Sequence, residues 1–165
     1  VELYPMVSRA LSILSSKAGI YGMIGGQTAD IMAEGADTIE KEQLLFIHEN
    51  KTAALIQSSM MIGAILAGAD QKAVEAMEKC AYNIGVAFQI QDDILDITGE
   101  EAELGKAVGS DEKNRKQTYV TLVGISKAMK EGERLSGEAV SILKEYRGDS
   151  SFLREFTEYL IHRNK

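Results

Sequence analysis

Three aspartates stand close together in a segment that is otherwise almost entirely apolar. The segment reads GVAFQIQDDILDI, and its acids are Asp92, Asp93 and Asp96. Clustered carboxylates repel one another, and burial raises that cost unless a cation relieves it. Oxygen-only ligands suit a hard divalent ion, Mg²⁺ or Mn²⁺. The residues therefore indicate a metal site; the alternative is a solvated helix end that happens to be acidic.

A long helix from Gln71 to about Ile97 is predicted to position these acids, with Asp70 as its cap. At about 100° per residue, Gly85, Gln89 and the three aspartates share one stripe roughly 100° wide. The rest of this part of the helix is apolar except for Gln91. A helix exposed to solvent instead has an apolar stripe on an otherwise polar surface. We therefore expect the helix to be enclosed by protein, with its carboxylates facing an internal cleft.

Basic residues follow the acids and could contact a phosphate held by such a metal. The stretch GKAVGSDEKNRKQT supplies four cations, which are Lys106, Lys113, Arg115 and Lys116. A glycine-broken basic loop directly after a metal-binding helix end can close over a phosphate. Lys51 and Thr52 are predicted to begin another buried helix, capped by Asn50, where backbone N–H groups favour anions. The alternative for Lys51 is an exposed side chain.

The composition predicts a single all-helical domain. The chain has 165 residues, 45% of them hydrophobic, and one proline. Its net charge of −7 argues against nucleic-acid binding. Cys80 is the lone cysteine, which fits a reducing compartment, and we expect a cytoplasmic location. The most apolar stretch, Thr52 to Ala69, is interrupted by polar and small residues, so a core helix is favoured over membrane insertion.

Apolar residues at helical spacing predict the other elements. Before the acidic helix these are a helix from Met6 to about Ala33, one from Glu40 to about His48 and one from Lys51 to about Gly68. A loop from Thr98 to Gln117 is followed by helices at about Thr118 to Lys130, Glu131 to Tyr146 and Ser151 to His162. Four glycines in the first helix indicate close helix contact or a bend beside a ligand cavity, and their spacing favours contact.

Four motifs together resemble the C-terminal half of a trans-polyprenyl diphosphate synthase, the farnesyl and geranylgeranyl diphosphate synthase family. They are GGQTADI (Gly25–Ile31), the KT of HENKTAALI (Lys51, Thr52), GVAFQIQDDILD (Gly85–Asp96) and GKAVGSDEKNRKQTYV (Gly105–Val120). They follow the family's order and cover nearly the whole chain. The resemblance implies an all-α, isoprenoid-synthase-type helical bundle that lacks its N-terminal helices, with residues 1–165 as a single helical domain.

The resemblance implies that an allylic diphosphate donates its carbon chain to isopentenyl diphosphate. In this family, three Mg²⁺ ions bind the allylic diphosphate between two aspartate-rich motifs on facing helices. Asp92, Asp93 and Asp96 would form the second motif. Asp92 is the favoured direct metal ligand, and the other two would bind directly or through water.

The resemblance also implies roles for basic and polar residues. Lys51, Lys106 and Lys116 would hold the diphosphate leaving group. Lys51, Thr52 and Gln89 would be catalytic, with Thr52 and Gln89 beside the reacting carbon, where they steady the developing carbocation. For the basic stretch at His162, Arg163 and Lys165, contact with isopentenyl diphosphate and a solvated helix end both remain open.

One DDxxD segment is present, and the family's first motif would lie upstream of Met6. We therefore expect half of a synthase that is inactive alone and whose full-length parent is a homodimer. A different interpretation is a non-catalytic helical binding or regulatory subunit on the same scaffold. The enzyme is favoured, because a purely structural protein has no physical need for a buried acidic stripe. The residues that favour it are Lys51, Thr52, Gln89, Asp92, Asp96 and Lys116. Terpene cyclisation is disfavoured by the KT pair and the basic loop, and a di-iron bundle by the lack of a Glu-x-x-His pair.

Overall fold

A computed structural model describes residues 3–34, 36, 38–98, 117–146 and 149–163, and the regular structure within these ranges is entirely helical. The α-helices are α1 (Leu3–Ala18), α2 (Met23–Ala33), α3 (Lys41–Ile47), α4 (Ala54–Leu66), α5 (Gln71–Thr98), α6 (Tyr119–Val123), α7 (Ile125–Lys144) and α8 (Ser151–His162). A π-helical stretch, His48–Ala53, joins α3 directly to α4, and we call it the π segment. The all-helical prediction is confirmed.

Helix α5 is the centre of the bundle, as its apolar body predicted. It packs against α4, α6, α7, α8 and the π segment. Ile90, Ile94 and Leu95 on this helix are buried, and each buried side chain of this size stabilises the fold by about 1.5–3 kcal/mol. Asp70 caps α5 as predicted, because its Oδ1 accepts a hydrogen bond from the Ala73 N–H at 2.8 Å.

Two predicted helix boundaries are wrong. The helix expected from Met6 to Ala33 is divided by a turn between α1 and α2. The boundary expected after Lys130 lies instead at Gly124, which has φ of 85° and thus a backbone conformation that side chains resist. Helix α7 continues through Lys130 because its buried face, which includes Ala128 and Leu135, repeats at helical spacing on both sides of that residue.

The predicted helix start at Lys51 is also wrong. Helical structure continues from α3 through the π segment into α4, and the Ala54 N–H donates to the Glu49 carbonyl five residues earlier. Asn50 does not cap a helix, since its side-chain Nδ2 donates back to the Phe46 carbonyl at 2.9 Å. Lys51 therefore lies inside helical structure, and the expected anion site on free backbone N–H groups is absent there. Single π-helical turns occur often at functional sites.

Two glycines allow the π segment to lie between α2 and α5. A Cβ atom added at Gly26 on α2 would lie 2.2 Å from the backbone nitrogen of Lys51. One added at Gly85 on α5 would lie 2.4 Å from the Ala53 Cβ. Any side chain at either position would push the helices apart. The close-contact interpretation is therefore correct for Gly26, and Gly85 makes a second contact of the same kind.

Large apolar side chains remain exposed on α1 and α2. They are Leu3, Tyr4, Val7, Leu11, Leu14, Ile24, Ile31 and Met32. Patches of this kind mark surfaces that contact other protein. None of the helices in the described ranges combines the length and the hydropathy needed to cross a membrane.

The contact at Gly85 can be tested with two glycine-to-alanine variants. We expect Gly85→Ala to lower the free energy of unfolding by about 1–3 kcal/mol, because the new methyl group overlaps Ala53. Gly63→Ala on α4 is the control, since a Cβ there meets nothing within 4 Å and alanine favours helix by about 1 kcal/mol. Urea denaturation of both variants is the measurement. Equal stabilisation by the two changes would contradict the close contact.

Candidate functional site

The structure describes six of the predicted site residues and leaves two outside its ranges. Those described are Lys51, Thr52, Gln89, Asp92, Asp93 and Asp96. Lys106 and Lys116, together with the rest of the basic stretch that contains them, lie outside the described residues. The predicted contact of that stretch with a phosphate therefore stays a prediction.

Asp92 is the accessible acid of the three. Its side chain is 42% exposed. One carboxylate oxygen, Oδ2, accepts a hydrogen bond from Gln89 Nε2 at 3.3 Å, one turn earlier on α5. The other oxygen, Oδ1, forms an ion pair with Nη2 of Arg163. This exposed carboxylate is accessible to a metal ion, which would have to compete with Arg163 for it.

Asp93 connects α5 to its neighbours. Its side chain is 14% exposed, and Oδ2 accepts a hydrogen bond from the Tyr119 N–H at 2.7 Å. The same oxygen lies 3.8 Å from Nε2 of His48 in the π segment. Tyr119 is the first residue of α6, where unpaired backbone N–H groups favour a negative charge. Asp93 therefore has a structural role in this structure, and its role as a metal ligand stays a prediction.

Asp96 is buried, with 2% of its surface exposed. It lies one turn after Asp92 on the same stripe, yet the two differ widely in access to solvent. Within the parts of the chain that the structure describes, no three His, Cys, Asp or Glu side chains are grouped so that they could hold a metal ion. Asp92 fits a hard divalent ion by donor type and access, whereas metal binding by Asp96 stays a prediction.

Lys51 contacts an acid that sequence reasoning missed. Its Nζ forms an ion pair with Oδ2 of Asp30, which is buried on α2. Asp30 follows Gly26 by four residues, so the two share one face of the helix, and that face contacts the π segment. Asp30 lies within GGQTADI. Its i, i+4 spacing from a glycine was the signal that could have identified it.

The π segment brings Lys51 and Thr52 towards the acidic stripe. Gly85 belongs to that stripe and contacts Ala53, which directly follows Thr52. Gln89 lies one turn after Gly85 on the same face of α5. The structure thus places the KT pair and the start of the stripe on elements that touch, although the ion-pair partner of Lys51 is Asp30.

Arg163, directly after α8, is a second residue to which the sequence gave no firm role. Its side chain is 10% exposed, so the solvated interpretation is wrong for this residue. The guanidinium carbon lies 4.0 Å from the centroid of the Phe88 ring, and its charge pairs with Asp92. Phe88 and Asp92 are four residues apart, so they offer an aromatic face and a carboxylate side by side, which suits arginine.

A second polar cluster lies between α5 and α7 beside a cavity of about 430 Å³. Arg134 there donates to Glu131 at 2.7 Å and also pairs with Glu138. The hydrogen bond from Arg134 holds the pKa of Glu131 below its usual value. Burial is the main cause that raises the pKa of Tyr82, which also lines the cavity, and nearby Glu49 adds to it. These carboxylates pair with Arg134 as Asp92 pairs with Arg163, so pairing with a cation does not distinguish the two sites.

Comparisons with known proteins agree with the helical architecture and the motifs. The family model for polyprenyl synthetases matches residues 4–155. The chain is 42% identical over 159 residues to farnesyl diphosphate synthase of Escherichia coli K12. The matched region covers 94% of this chain and 53% of that protein. It is 35% identical over 159 residues to geranylgeranyl diphosphate synthase of Cyanophora paradoxa, covering 96% of this chain and 53% of that protein. The chain thus spans about half the length of these relatives.

Solved structures give the same result. Geranyltransferase from Helicobacter pylori, solved with magnesium and isoprenyl diphosphate, matches with a TM-score of 0.76 and 32% identity, over 94% of this chain and 51% of that one. Heptaprenyl diphosphate synthase from Staphylococcus aureus matches in fold with a TM-score of 0.85 and 24% identity, over 95% and 60% of the two chains. The predicted isoprenoid-synthase-type fold is confirmed for this part of the bundle, and the chain belongs to the polyprenyl synthetase family.

Proposed function

We propose that this chain is the C-terminal part of a trans-prenyl diphosphate synthase and carries its second aspartate-rich motif. The whole protein would condense an allylic diphosphate with isopentenyl diphosphate to form a longer trans-prenyl diphosphate. The observation that carries the proposal is the accessible carboxylate of Asp92 on a stretch of α5 in which Ile90, Ile94 and Leu95 are buried. Relatives named as farnesyl and geranylgeranyl diphosphate synthases support it, as does the relative solved with magnesium and isoprenyl diphosphate.

The reaction requires charge stabilisation at two points. Breaking the allylic C–O bond leaves a carbocation on carbon and a negative diphosphate. Bound Mg²⁺ or Mn²⁺ would supply positive charge to that leaving group. Water must also be kept away, because it would convert the cation to an alcohol. A site with one charged end and apolar walls meets both needs.

Asp92 would hold the metal, with Asp93 and Asp96 contributing directly or through water. Lys51 would bind the diphosphate oxygens together with Lys106 and Lys116. The structure supports a fixed position for the Lys51 ammonium, because Asp30 forms an ion pair with it and the π segment is held on both sides. A lysine oriented in this way loses less freedom when it binds a phosphate.

Thr52 and Gln89 would steady the carbocation through their side-chain oxygens. Both lie next to the contact between Ala53 and Gly85, on the two elements that meet there. Gln89 Nε2 donates a hydrogen bond to Asp92, so the amide oxygen of Gln89 is directed away from that hydrogen bond. The diphosphate oxygen would accept the final proton.

The apolar surface of α1 and α2 supports the proposal that this chain works as part of a larger assembly. The remaining half of the synthase and a second subunit of a homodimer would both need apolar faces of this kind. We propose that both are present in the full-length parent, where they would complete the cavity around the allylic chain.

The 165-residue chain alone is expected to lack prenyl transfer, because it supplies one of the two acidic motifs that the reaction would need. The measurement is incorporation of radiolabelled isopentenyl diphosphate into longer products, with an allylic diphosphate and Mg²⁺ present. A family synthase of full length is the positive control. Turnover by the pure 165-residue chain would contradict this expectation.

In the protein expressed from its complete reading frame, Asp92→Asn is expected to lower kcat by about 100-fold or more, because it removes charge that would hold the metal. Glu133→Gln is the matched control: it removes one exposed carboxylate from α7 and should leave kcat unchanged. Steady-state kinetics and thermal melts are the measurements. An Asp92→Asn enzyme of normal activity would refute the assignment, and a folded wild-type protein without turnover would favour the non-catalytic subunit.

Lys51 can be separated from its structural partner by a pair of variants. Lys51→Gln removes the ammonium that faces buried Asp30, so we expect a loss of about 1–3 kcal/mol in stability together with weaker diphosphate binding. Adding Asp30→Asn should restore much of the stability, because a buried charge is removed as well. Melting temperatures and the KM for the allylic diphosphate are measured together. If the double variant also recovers the normal KM, Lys51 has only a structural role.

A further inference from the structure

The residue that follows α8 is attached to the same short stretch of α5 that carries the accessible acid. Arg163 Nη2 pairs with Asp92 Oδ1, and the guanidinium lies against the Phe88 ring. The carbonyl oxygen of Arg163 accepts a hydrogen bond from Gln91 Nε2 at 3.3 Å. Charge, ring and backbone thus all hold this residue to residues 88–92.

The ion pair relieves a repulsion that the acidic stripe creates. Asp92 and Asp96 are like-charged neighbours at i, i+4, an arrangement that destabilises a helix. Asp96 is buried, where screening by water is weak. A guanidinium against Asp92 lowers the negative potential at this end of α5. The structure therefore places a cation of this protein against the carboxylate that is proposed to bind a metal ion.

A divalent ion and Arg163 compete for the same carboxylate. Oδ1 of Asp92 faces the guanidinium, and Oδ2 accepts from Gln89. A metal ion on either oxygen would lie within a few ångströms of the guanidinium, at about the distance where like charges repel strongly. The pair is partly exposed, so water can take over the guanidinium when it leaves.

We propose that Arg163 is the resident counter-cation of Asp92 and that binding of a divalent ion displaces it. Displacement releases the Arg163 side chain from α5 and so couples metal binding to the position of Arg163 and the end of α8. The inference rests on the proposed function, because it requires Asp92 to be a metal ligand. It adds a competition between a side chain of this protein and the metal. This competition would lower the affinity of the protein for the divalent ion.

The test uses Mn²⁺ with inorganic diphosphate as the probe and two readouts besides activity. Electron paramagnetic resonance measures Mn²⁺ binding, and hydrogen exchange measures protection of the amides in α8 and at Arg163. In the wild-type chain, Mn²⁺ with diphosphate should speed exchange near Arg163 by about fivefold or more. Arg163→Gln should tighten Mn²⁺ binding by about fivefold. Lys72→Gln removes the same charge 20 residues before Asp92 on α5, about 30 Å away, and should change neither.

The possible results separate this inference from the proposed function. If Asp92→Asn weakens Mn²⁺ binding while exchange near Arg163 is unaffected by the metal, the competition is wrong and the proposed function stands. If Asp92→Asn leaves Mn²⁺ binding unchanged, or no Mn²⁺ binds, Asp92 is not a metal ligand in this chain and the inference falls with that assignment. The wild-type exchange measurement needs no variant, so a misfolded variant would not obscure the answer.

Discussion

The close approach of three backbones determines the arrangement of charges in this protein. Helices α2 and α5 contact the π segment at Gly26 and Gly85, positions where a methyl group would overlap the neighbouring chain. Because the backbones approach so closely, the Cα atoms from which the Lys51 and Thr52 side chains extend are held in place. The ion pair with Asp30 and the position of the acidic stripe both follow from that contact.

The aspartates near this contact have different roles. Asp30 pairs with Lys51, and Asp93 accepts the first N–H of α6. Lys51 neutralises the buried Asp30 carboxylate, and Asp93 satisfies an N–H group at a helix end. Either polar group would be costly to bury without its partner. Asp92 differs because its side chain is 42% exposed and the cation that pairs with it, Arg163, lies directly after α8 and not within a helix. A carboxylate of that kind can change partners with little disturbance to the fold, which is a useful property for a ligand-binding group.

Sequence periodicity could predict the central helix and its acids because both depend on the spacing along one element. The cap at Asp70, the length of α5 and the shared face of Gly85 and Asp92 follow from helix geometry. The π segment could not be predicted in this way. Asn50 before a buried apolar run looks like a helix start, whereas the structure has a π-helical stretch there that lies against α2 and α5.

The ion pairs were beyond sequence reasoning for a related reason. Lys51 and Asp30 are 21 residues apart, and Arg163 and Asp92 are 71 apart. Their pairing depends on how the helices pack against one another. The pattern of residues along a single helix does not predict which residues of another helix it will contact. The two readings left open for Arg163 therefore had to wait for the structure, which places it against Phe88 and Asp92.

The most direct measurement of the central claim is the position of a metal ion in crystals grown with Mn²⁺ and inorganic diphosphate. Anomalous scattering locates Mn²⁺ independently of the protein model. We expect an anomalous peak about 2 Å from a carboxylate oxygen of Asp92, with diphosphate within hydrogen-bond distance of Lys51 Nζ. A peak on other carboxylates, such as Glu131 and Glu138, with Asp92 still bound only by protein groups, would contradict it.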